Sequence, residues 1–205
     1  MTPPTGSLPV AWGTCPSPWG ELQVAATARG VLRVALPGED AAGWEEELRR
    51  LLARPGRAVW PGGGPAEGAE PQPASSPGEF GAAAAAEGWL AEALRELAEY
   101  GAGHRTRFGL PLDLRGTPFQ IRVWEALLAI PCGEVRTYGQ VARAVGQPGA
   151  CRAVGRAVGA NPLAILVPCH RVVRSHGQLG HYGGGPSLKR ALLLREGYRG
   201  PELAS

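Results

Sequence analysis

Cysteine and histidine are scarce in this chain of 205 residues, with four of each. The cysteines lie far apart, no Cys-x-x-Cys pair occurs, and the histidines have no metal-ligand spacing. This usage argues against a disulfide framework and a structural zinc site, and it favours free thiols in a reducing compartment. The chain also lacks an apolar run of about twenty residues and a basic segment followed by an apolar core. We therefore expect no membrane span and no secretory signal, and an intracellular protein: cytoplasmic in a bacterium, nuclear in a eukaryote.

Lysine is nearly absent as well, since Lys189 is the only one among 21 basic residues. The charges are unevenly distributed. Residues 1–100 carry seven Arg and thirteen acidic residues, whereas residues 101–205 carry fourteen basic and five acidic residues. The formal balance is −6 in the first part and +9 in the second. A basic C-terminal part suits a polyanionic partner, although solubility alone would explain the same charge.

The first half of the sequence indicates an α/β domain. Two short apolar runs, Leu22–Ala26 and Val31–Leu36, flank an Arg29-Gly30 turn and predict a β-hairpin. Residues Trp44–Leu52 have helical apolar spacing, with acids early and arginines late, which suits the helix dipole.

A segment rich in Gly, Pro, Ala and Ser then runs from Pro61 to Gly81 and predicts a flexible insert. Helical spacing returns over Gly88–Tyr100, and Pro111–Leu114 is predicted to be an extended crossing into a second domain. We accordingly predict an N-terminal supporting domain over residues 1–112 and a C-terminal domain over residues 113–205.

The second half predicts several helices. Thr117 and Thr137 are suitable N-caps, and Pro131 is expected to end the first helix. The next two helices are predicted over Tyr138–Val145 and Ala150–Gly159. They are joined by a tight turn that contains glycine, which fits a helix-turn-helix. Many helical hairpins bind nothing, so this signal alone decides little.

The second helix of that pair is made almost entirely of Ala, Gly and Val, apart from Cys151, Arg152 and Arg156. Such a helix can approach another surface closely and extend an arginine into a narrow groove of DNA. A major-groove helix would instead present longer side chains to base edges. Close packing against a neighbouring helix requires small residues too, and the composition does not separate these two readings.

A reactive cysteine is the strongest chemical candidate. Asn161-Pro162 breaks the helix, Leu163–Val167 is predicted to be a short buried strand, and Pro168-Cys169-His170 follows. A thiol beside a histidine can act as a nucleophile when a base or water accepts its proton. An arbitrary Cys-His pair is more often a buried cysteine beside a structural histidine.

The surroundings of this pair carry a family resemblance over about eighty contiguous residues. The matching elements are Gly116-Thr117-Pro118-Phe119-Gln120, Val123-Trp124, Ile130-Pro131, Gly133-Glu134, Tyr138, Arg152-Ala153-Val154-Gly155, Asn161-Pro162, Pro168-Cys169-His170-Arg171-Val172, Gly177, Gly180, Tyr182, Gly184-Gly185, Lys189, Leu193-Leu194 and Glu196-Gly197. In this order and spacing they resemble the O6-alkylguanine-DNA alkyltransferase family. The resemblance implies an α/β N-terminal domain, a roll of RNase H-like type with an antiparallel hairpin. A mostly α C-terminal domain with a helix-turn-helix follows.

The resemblance also implies a reaction and its residues. Cys169 would attack the alkyl carbon of O6-alkylguanine in DNA and retain the group irreversibly as a thioether. His170 would take the thiol proton through water, and Glu196 would hold the imidazole. Tyr138 would donate a proton to the leaving guanine. Asn161 would fix the turn beside the reactive segment.

DNA contacts are implied in the same way. The base would leave the stack, and Arg152 would fill its place. Ala153 and Gly155 would allow close approach to the minor groove, where Tyr138 would also contact the DNA. Tyr182 and backbone groups near Val172 would recognise the base.

The base-binding loop departs from the family pattern at one position. Gly183 stands where many relatives carry a serine that hydrogen-bonds the base, and a backbone amide would take over that role. Arg171 and Lys189 are either substrate contacts or structural ion-pair partners.

The implied protein is a monomer without cofactor or metal, and its partner is double-stranded DNA containing O6-alkylguanine. O4-alkylthymine is a further substrate to consider. Three rival functions remain. A lesion-recognition factor of the same fold would lack the cysteine. A helix-turn-helix transcription regulator would need base-reading side chains, and a cysteine hydrolase would need an oxyanion hole.

Overall fold

The computed structural model describes residues 8–39, 43–61, 79–175 and 178–203. The chain divides into two compact units, residues 1–35 with 40–116 and residues 36–39 with 117–205. The first unit contains β1 (Val10–Ser17), β2 (Gly20–Thr27), β3 (Gly30–Ala35), α1 (Trp44–Leu52), β4 (Arg57–Val59), α2 (Glu79–Ala102) and β5 (Leu112–Leu114). The second contains α3 (Pro118–Leu128), β6 (Arg136–Thr137), α4 (Tyr138–Ala144), α5 (Cys151–Gly159), β7 (Val172–Val173) and α6 (Gly185–Arg195), with 3₁₀ turns at Cys169–Arg171 and Pro201–Leu203.

A five-stranded mixed sheet of order β1-β2-β3-β5-β4 forms the first unit. Strands β2 and β3 pair antiparallel, which confirms the predicted hairpin. Strand β3 pairs parallel with β5, and the Val31 amide donates to the Pro111 carbonyl at 2.9 Å. A Cβ on Gly30 would lie 2.2 Å from that carbonyl oxygen, so only glycine fits this turn.

Helices cover both faces of this sheet. The predicted helix over Trp44–Leu52 is confirmed, and Trp44 packs with Ala25 and Ala35. On the other face, α2 places Leu90 and Leu94 against β1 at Gly13.

The sequence prediction for α2 was too short. The helix begins at Glu79 rather than Gly88, because the alanine run before Gly88 has strong helix propensity although its composition resembles a linker. The rest of the predicted insert, residues 62–78, lies outside the described residues.

The segment Pro111–Leu114 is extended as predicted, but Leu112–Leu114 forms strand β5 in the interior of the first unit's sheet. All three residues of β5 are buried, and the alternation of Leu112-Asp113-Leu114 is too short to reveal a strand. Buried Asp113 accepts hydrogen bonds from Thr27 and from Arg115, both at 2.8 Å. The bond from Thr27 holds β5 against the hairpin.

Helices dominate the second unit, and the predicted caps are confirmed. Thr117 and Thr137 each form a capping box, with Gln120 and Gln140 respectively. The predicted helices over Tyr138–Val145 and Ala150–Gly159 match α4 and α5 within a residue at each end. Helix α3 ends at Leu128, before the predicted stop at Pro131.

The indole of Trp124 on α3 donates to the Ala157 carbonyl at 2.9 Å, which joins α3 to α5. Ala157 is buried against α3, and this contact explains its small side chain. In contrast, Ala153 and Gly155 are only half-buried.

The predicted strand at Leu163–Val167 is wrong. The segment is a buried turn in which Val167 N–H donates to the Leu163 carbonyl at 2.8 Å. Ile165 adopts a φ of 71°, which is strained for a β-branched residue. An apolar run of this length does not distinguish a buried strand from a buried turn. Among the described residues, no helix is long and apolar enough to cross a membrane.

Candidate active site

Cys169 begins the 3₁₀ turn that follows the buried turn, and its side chain is 7% exposed. Its amide donates to the Val167 carbonyl at 2.8 Å. The chain thus bends sharply at the cysteine, where a strand running into Pro168 was predicted. All four cysteines are free thiols.

Asn161 holds the thiol and the turn together. Its side-chain Nδ2 donates to Cys169 Sγ at 3.1 Å and to the Val167 carbonyl at 2.9 Å. Its Oδ1 accepts from the Leu163 amide at 3.0 Å. The residue follows the end of α5, so it fastens the strained turn to that helix. The contact with Sγ is a role that sequence reasoning did not assign.

A buried cluster of His170, Glu196 and Arg171 lies beside the cysteine. His170 Nε2 is 2.8 Å from Glu196 Oε1. Arg171 donates to both carboxylate oxygens, from Nε and Nη2, each at 2.8 Å. It also donates to the Ile130 carbonyl at 2.5 Å. Arg171 is therefore an ion-pair partner of Glu196, one of the two roles left open by the sequence.

Burial and neighbours set the protonation states. Burial alone would raise the pKa of Glu196, but the hydrogen bonds and charges of His170 and Arg171 outweigh burial and lower it. Burial lowers the pKa of His170 against the opposing effect of Glu196. A neutral imidazole beside a carboxylate must donate from Nε2, which leaves Nδ1 as the acceptor. Nδ1 is buried and has no hydrogen-bond partner within the described part of the chain.

Burial also raises the pKa of the Cys169 thiol, although the hydrogen bond from Asn161 and the charge of Lys189 oppose it. The resting sulfur is thus a protonated thiol that needs a base in order to react.

Lys189 is fully buried and donates to the carbonyls of Val172, at 2.5 Å, and Leu179. Burial lowers its pKa to about 8. Val172 lies on β7, which pairs in parallel with β6.

Tyr138, the first residue of α4, is half-buried between two glycines. A Cβ on Gly155 would lie 3.9 Å from its ring, and a Cβ on Gly180 would lie 3.4 Å from its hydroxyl. Burial raises the pKa of Tyr138, the charge of Arg174 lowers it, and that of Cys169 raises it. The phenol therefore lies within electrostatic range of the cysteine.

The structure describes three further predicted residues, and it brings one of them, Tyr182, next to His170. Tyr182 is buried, and its ring meets that of His170 edge-on with centroids 6.4 Å apart. Gly183 is exposed and faces open space, since nothing lies within 4 Å of where a Cβ would be. Arg152 is exposed at the start of α5.

No group of three or more His, Cys, Asp and Glu side chains suits a metal ion within the described ranges. The motif residue Gly177 lies outside those ranges.

Comparison with known proteins agrees with this geometry. The profile described as "6-O-methylguanine DNA methyltransferase, DNA binding domain" matches residues 118–198. The methylated-DNA–protein-cysteine methyltransferase of Mycobacterium tuberculosis (strain H37Rv) is 56% identical over 114 residues, which cover 56% of this chain and 69% of that protein. The crystal structure of the M. tuberculosis O6-methylguanine methyltransferase superposes with a TM-score of 0.66 at 38% identity, covering 91% of this chain and 92% of that one. A structure of the M. tuberculosis protein in complex with DNA gives a TM-score of 0.64 at 38% identity and covers 90% and 91%.

The chain belongs to the O6-alkylguanine-DNA alkyltransferase family. Its fold, a mixed α/β sheet unit and a helical unit, is that of these solved structures.

Proposed function

We propose that this protein repairs O6-alkylguanine in DNA by moving the alkyl group irreversibly to Cys169, once per molecule. The observation that carries the proposal is the environment of the buried Cys169 thiol. Asn161 Nδ2 donates to its sulfur at 3.1 Å, and the next residue, His170, is held by the Glu196 carboxylate. The relatives named as methylated-DNA–protein-cysteine methyltransferases support the same activity.

The thiol proton goes to His170. With Nε2–H bound to Glu196, Nδ1 is the atom that accepts the proton, directly or through one water. The imidazolium that forms gains stabilisation from the Glu196 carboxylate, while Arg171 keeps that carboxylate ionised and oriented. Asn161 donates to the developing thiolate.

The sulfur then attacks the alkyl carbon, and the carbon–O6 bond breaks with its electron pair passing to guanine. A guanine anion is a poor leaving group, so Tyr138 donates a proton to the ring and regains one from the imidazolium or solvent. The thiol proton and the alkyl group have then exchanged places, and no cofactor is consumed.

DNA docks through α4 and α5, which we propose to act as a helix-turn-helix that enters the minor groove. The half-buried Ala153 and Gly155 let the backbone of α5 come close. Exposed Arg152 fills the space of the extruded base, which costs a few kcal/mol to unstack. The first unit, an RNase H-like roll in this proposal, supports the second, and the protein acts as a monomer.

Base recognition falls to the segment around Tyr182. The Val172 carbonyl and the backbone at Gly183 offer hydrogen bonds to the base, and the Tyr182 ring forms a wall of the pocket. Gly183 has no side chain to contribute, so the contact there comes from its amide.

The test is intact-mass analysis after incubation with a duplex that contains one O6-methylguanine, followed by mapping of the modified peptide. We expect the wild-type protein to gain one methyl group on Cys169. Cys169→Ala should gain none, whereas Cys15→Ala, which removes a thiol of the first unit, should react like wild type. Tight lesion binding without a mass gain would contradict transfer and leave a lesion-recognition factor.

A further inference from the structure

Arg174 lies next to Tyr138 at the outer side of the site. Its Cγ and the Tyr138 hydroxyl are each 3.4 Å from the same point, the position where a Cβ of Gly180 would be. Gly180 has a φ of 75°, a conformation that keeps this position without a side chain. The arginine stem and the tyrosine hydroxyl therefore border one gap at Gly180.

The charge of Arg174 is exposed, in contrast to that of its near neighbour in sequence, Arg171. Arg174 Nη1 donates to the side chain of Gln178 at 3.2 Å, and its amide donates to the Gln178 carbonyl at 3.0 Å. These two bonds orient the side chain, but Gln178 carries no charge. Within the described ranges Arg174 forms no salt bridge, whereas Arg171 is fully paired with Glu196.

Electrostatics place the same guanidinium near the reacting groups. Burial has the largest effect on the pKa values of Tyr138 and Lys189, and the charge of Arg174 lowers both. A cation held there and open to solvent is suited to a polyanion that reaches into the site.

We propose that Arg174 binds a backbone phosphate of the DNA strand beside the extruded nucleotide and so positions that nucleotide over Cys169. The inference rests on the proposed function, because an extruded nucleotide must bring its flanking phosphates to the mouth of the site. A planar guanidinium with most of its donors directed to solvent matches a phosphodiester geometrically. Arg174 is a positioning residue and takes no part in bond making.

The first measurement is the salt dependence of lesion-duplex binding. It uses Cys169→Ser as the background, so that no transfer interferes. Adding Arg174→Gln should weaken binding roughly fivefold and reduce the slope of log K against log salt by about one. Arg174→Lys should recover most of the slope. Arg50→Gln, which removes the same charge from an exposed position on α1, should leave both values unchanged.

The second measurement locates the phosphate. Neutral methylphosphonate linkages are introduced one at a time on either side of the lesion. One linkage should weaken binding by Arg174 but cause no further loss in Arg174→Gln, because the two changes remove the same contact. Additive losses at every linkage, or an unchanged salt slope, would overturn the assignment.

The remaining outcomes are separable. If Arg174 acts instead through Tyr138, Arg174→Gln should shift the pH profile of transfer at saturating duplex and leave the salt slope intact, which contradicts phosphate binding. If the protein with intact Cys169 gains no alkyl group but the linkage test succeeds, the proposed function fails and the phosphate site stands.

Discussion

At the scale of single residues, the Glu196 carboxylate binds both the His170 imidazole and the Arg171 guanidinium. Glu196→Gln keeps the shape of the side chain but removes the charge that stabilises the His170 imidazolium. Transfer should slow on the order of 10²-fold, the magnitude of general-base assistance. The free energy of unfolding should fall by about 3 kcal/mol, because Arg171 would stay buried without its counter-charge. Single-turnover kinetics and urea unfolding measure the two effects.

The control for this change is Glu134→Gln. Glu134 pairs with Arg136 at 2.7 Å, but both side chains are nearly half exposed to solvent, so its loss should affect neither rate nor stability measurably. Equal behaviour of the two variants would show that the buried cluster contributes nothing special.

Asn161 offers a second prediction at this scale. Asn161→Ala leaves the Leu163 amide without its side-chain partner, at about 1–3 kcal/mol for a buried group, and removes one of the two hydrogen bonds to the Val167 carbonyl. It also removes the hydrogen bond that lowers the pKa of Cys169, so the thiol pKa should rise further. The rate of modification by a thiol reagent against pH, together with urea unfolding, tests both.

Asn161→Asp separates the two roles of this side chain. It retains an acceptor for the Leu163 amide but places a carboxylate beside the sulfur. It should therefore raise the thiol pKa more than alanine does, because like charges repel. A lower thiol pKa in Asn161→Asp would refute the contact with Sγ.

At the scale of secondary-structure elements, two equivalent caps differ in what they position. Thr117 and Thr137 each begin a helix with the same capping box, so replacing either with alanine should cost about 1 kcal/mol of stability. Only Thr137→Ala should slow transfer, because Tyr138 is the next residue and moves with the start of α4. A comparable loss of transfer in Thr117→Ala would indicate general destabilisation instead.

These caps also show why part of the fold was predictable from sequence. Helices α1, α4 and α5 carry local signals in caps, charge order and turn glycines, and each was predicted within a residue or so. Strand β5 and the turn around Ile165 carry none. Strand β5 is three residues long, and its Asp113 pairs with Thr27, 86 positions away. The turn is fixed by hydrogen bonds between the Asn161 side chain and backbone groups two and six residues further on. Apolar periodicity records neither the sheet contact nor the side-chain bonds of the turn.

The site was predictable to the extent that its residues lie in one motif. The pairing of His170 with Glu196 came from the family resemblance, since the two are far apart in sequence. Arg174 was not found in this way. An exposed arginine in a loop looks like any other solvated charge until Tyr138 and Gly180 are seen beside it.

At the scale of the whole molecule, the buried cluster links activity to stability in acid. The folded pKa of His170 lies below its ordinary value of 6.5, and that of Glu196 lies below 4.5. A group with a lowered folded pKa contributes stability above its unfolded pKa and loses it as the pH falls through the folded value. The free energy of unfolding should therefore fall in two stages, first below pH 6.5 and then below pH 4.5.

Urea titrations across this pH range measure the loss, and they can separate the two groups. Glu196→Gln should abolish the lower stage, because no carboxylate remains to be protonated there. It should deepen the upper stage, because without the carboxylate nothing opposes the desolvation that lowers the pKa of His170. Transfer should decline only as the pH falls through the lowered pKa of folded His170, at the acid end of the upper stage, since a protonated His170 cannot accept the thiol proton. If stability were constant from neutral pH to below pH 4.5 while transfer declined, the acid sensitivity would lie outside this cluster, and the assignment of His170 as the base would fail.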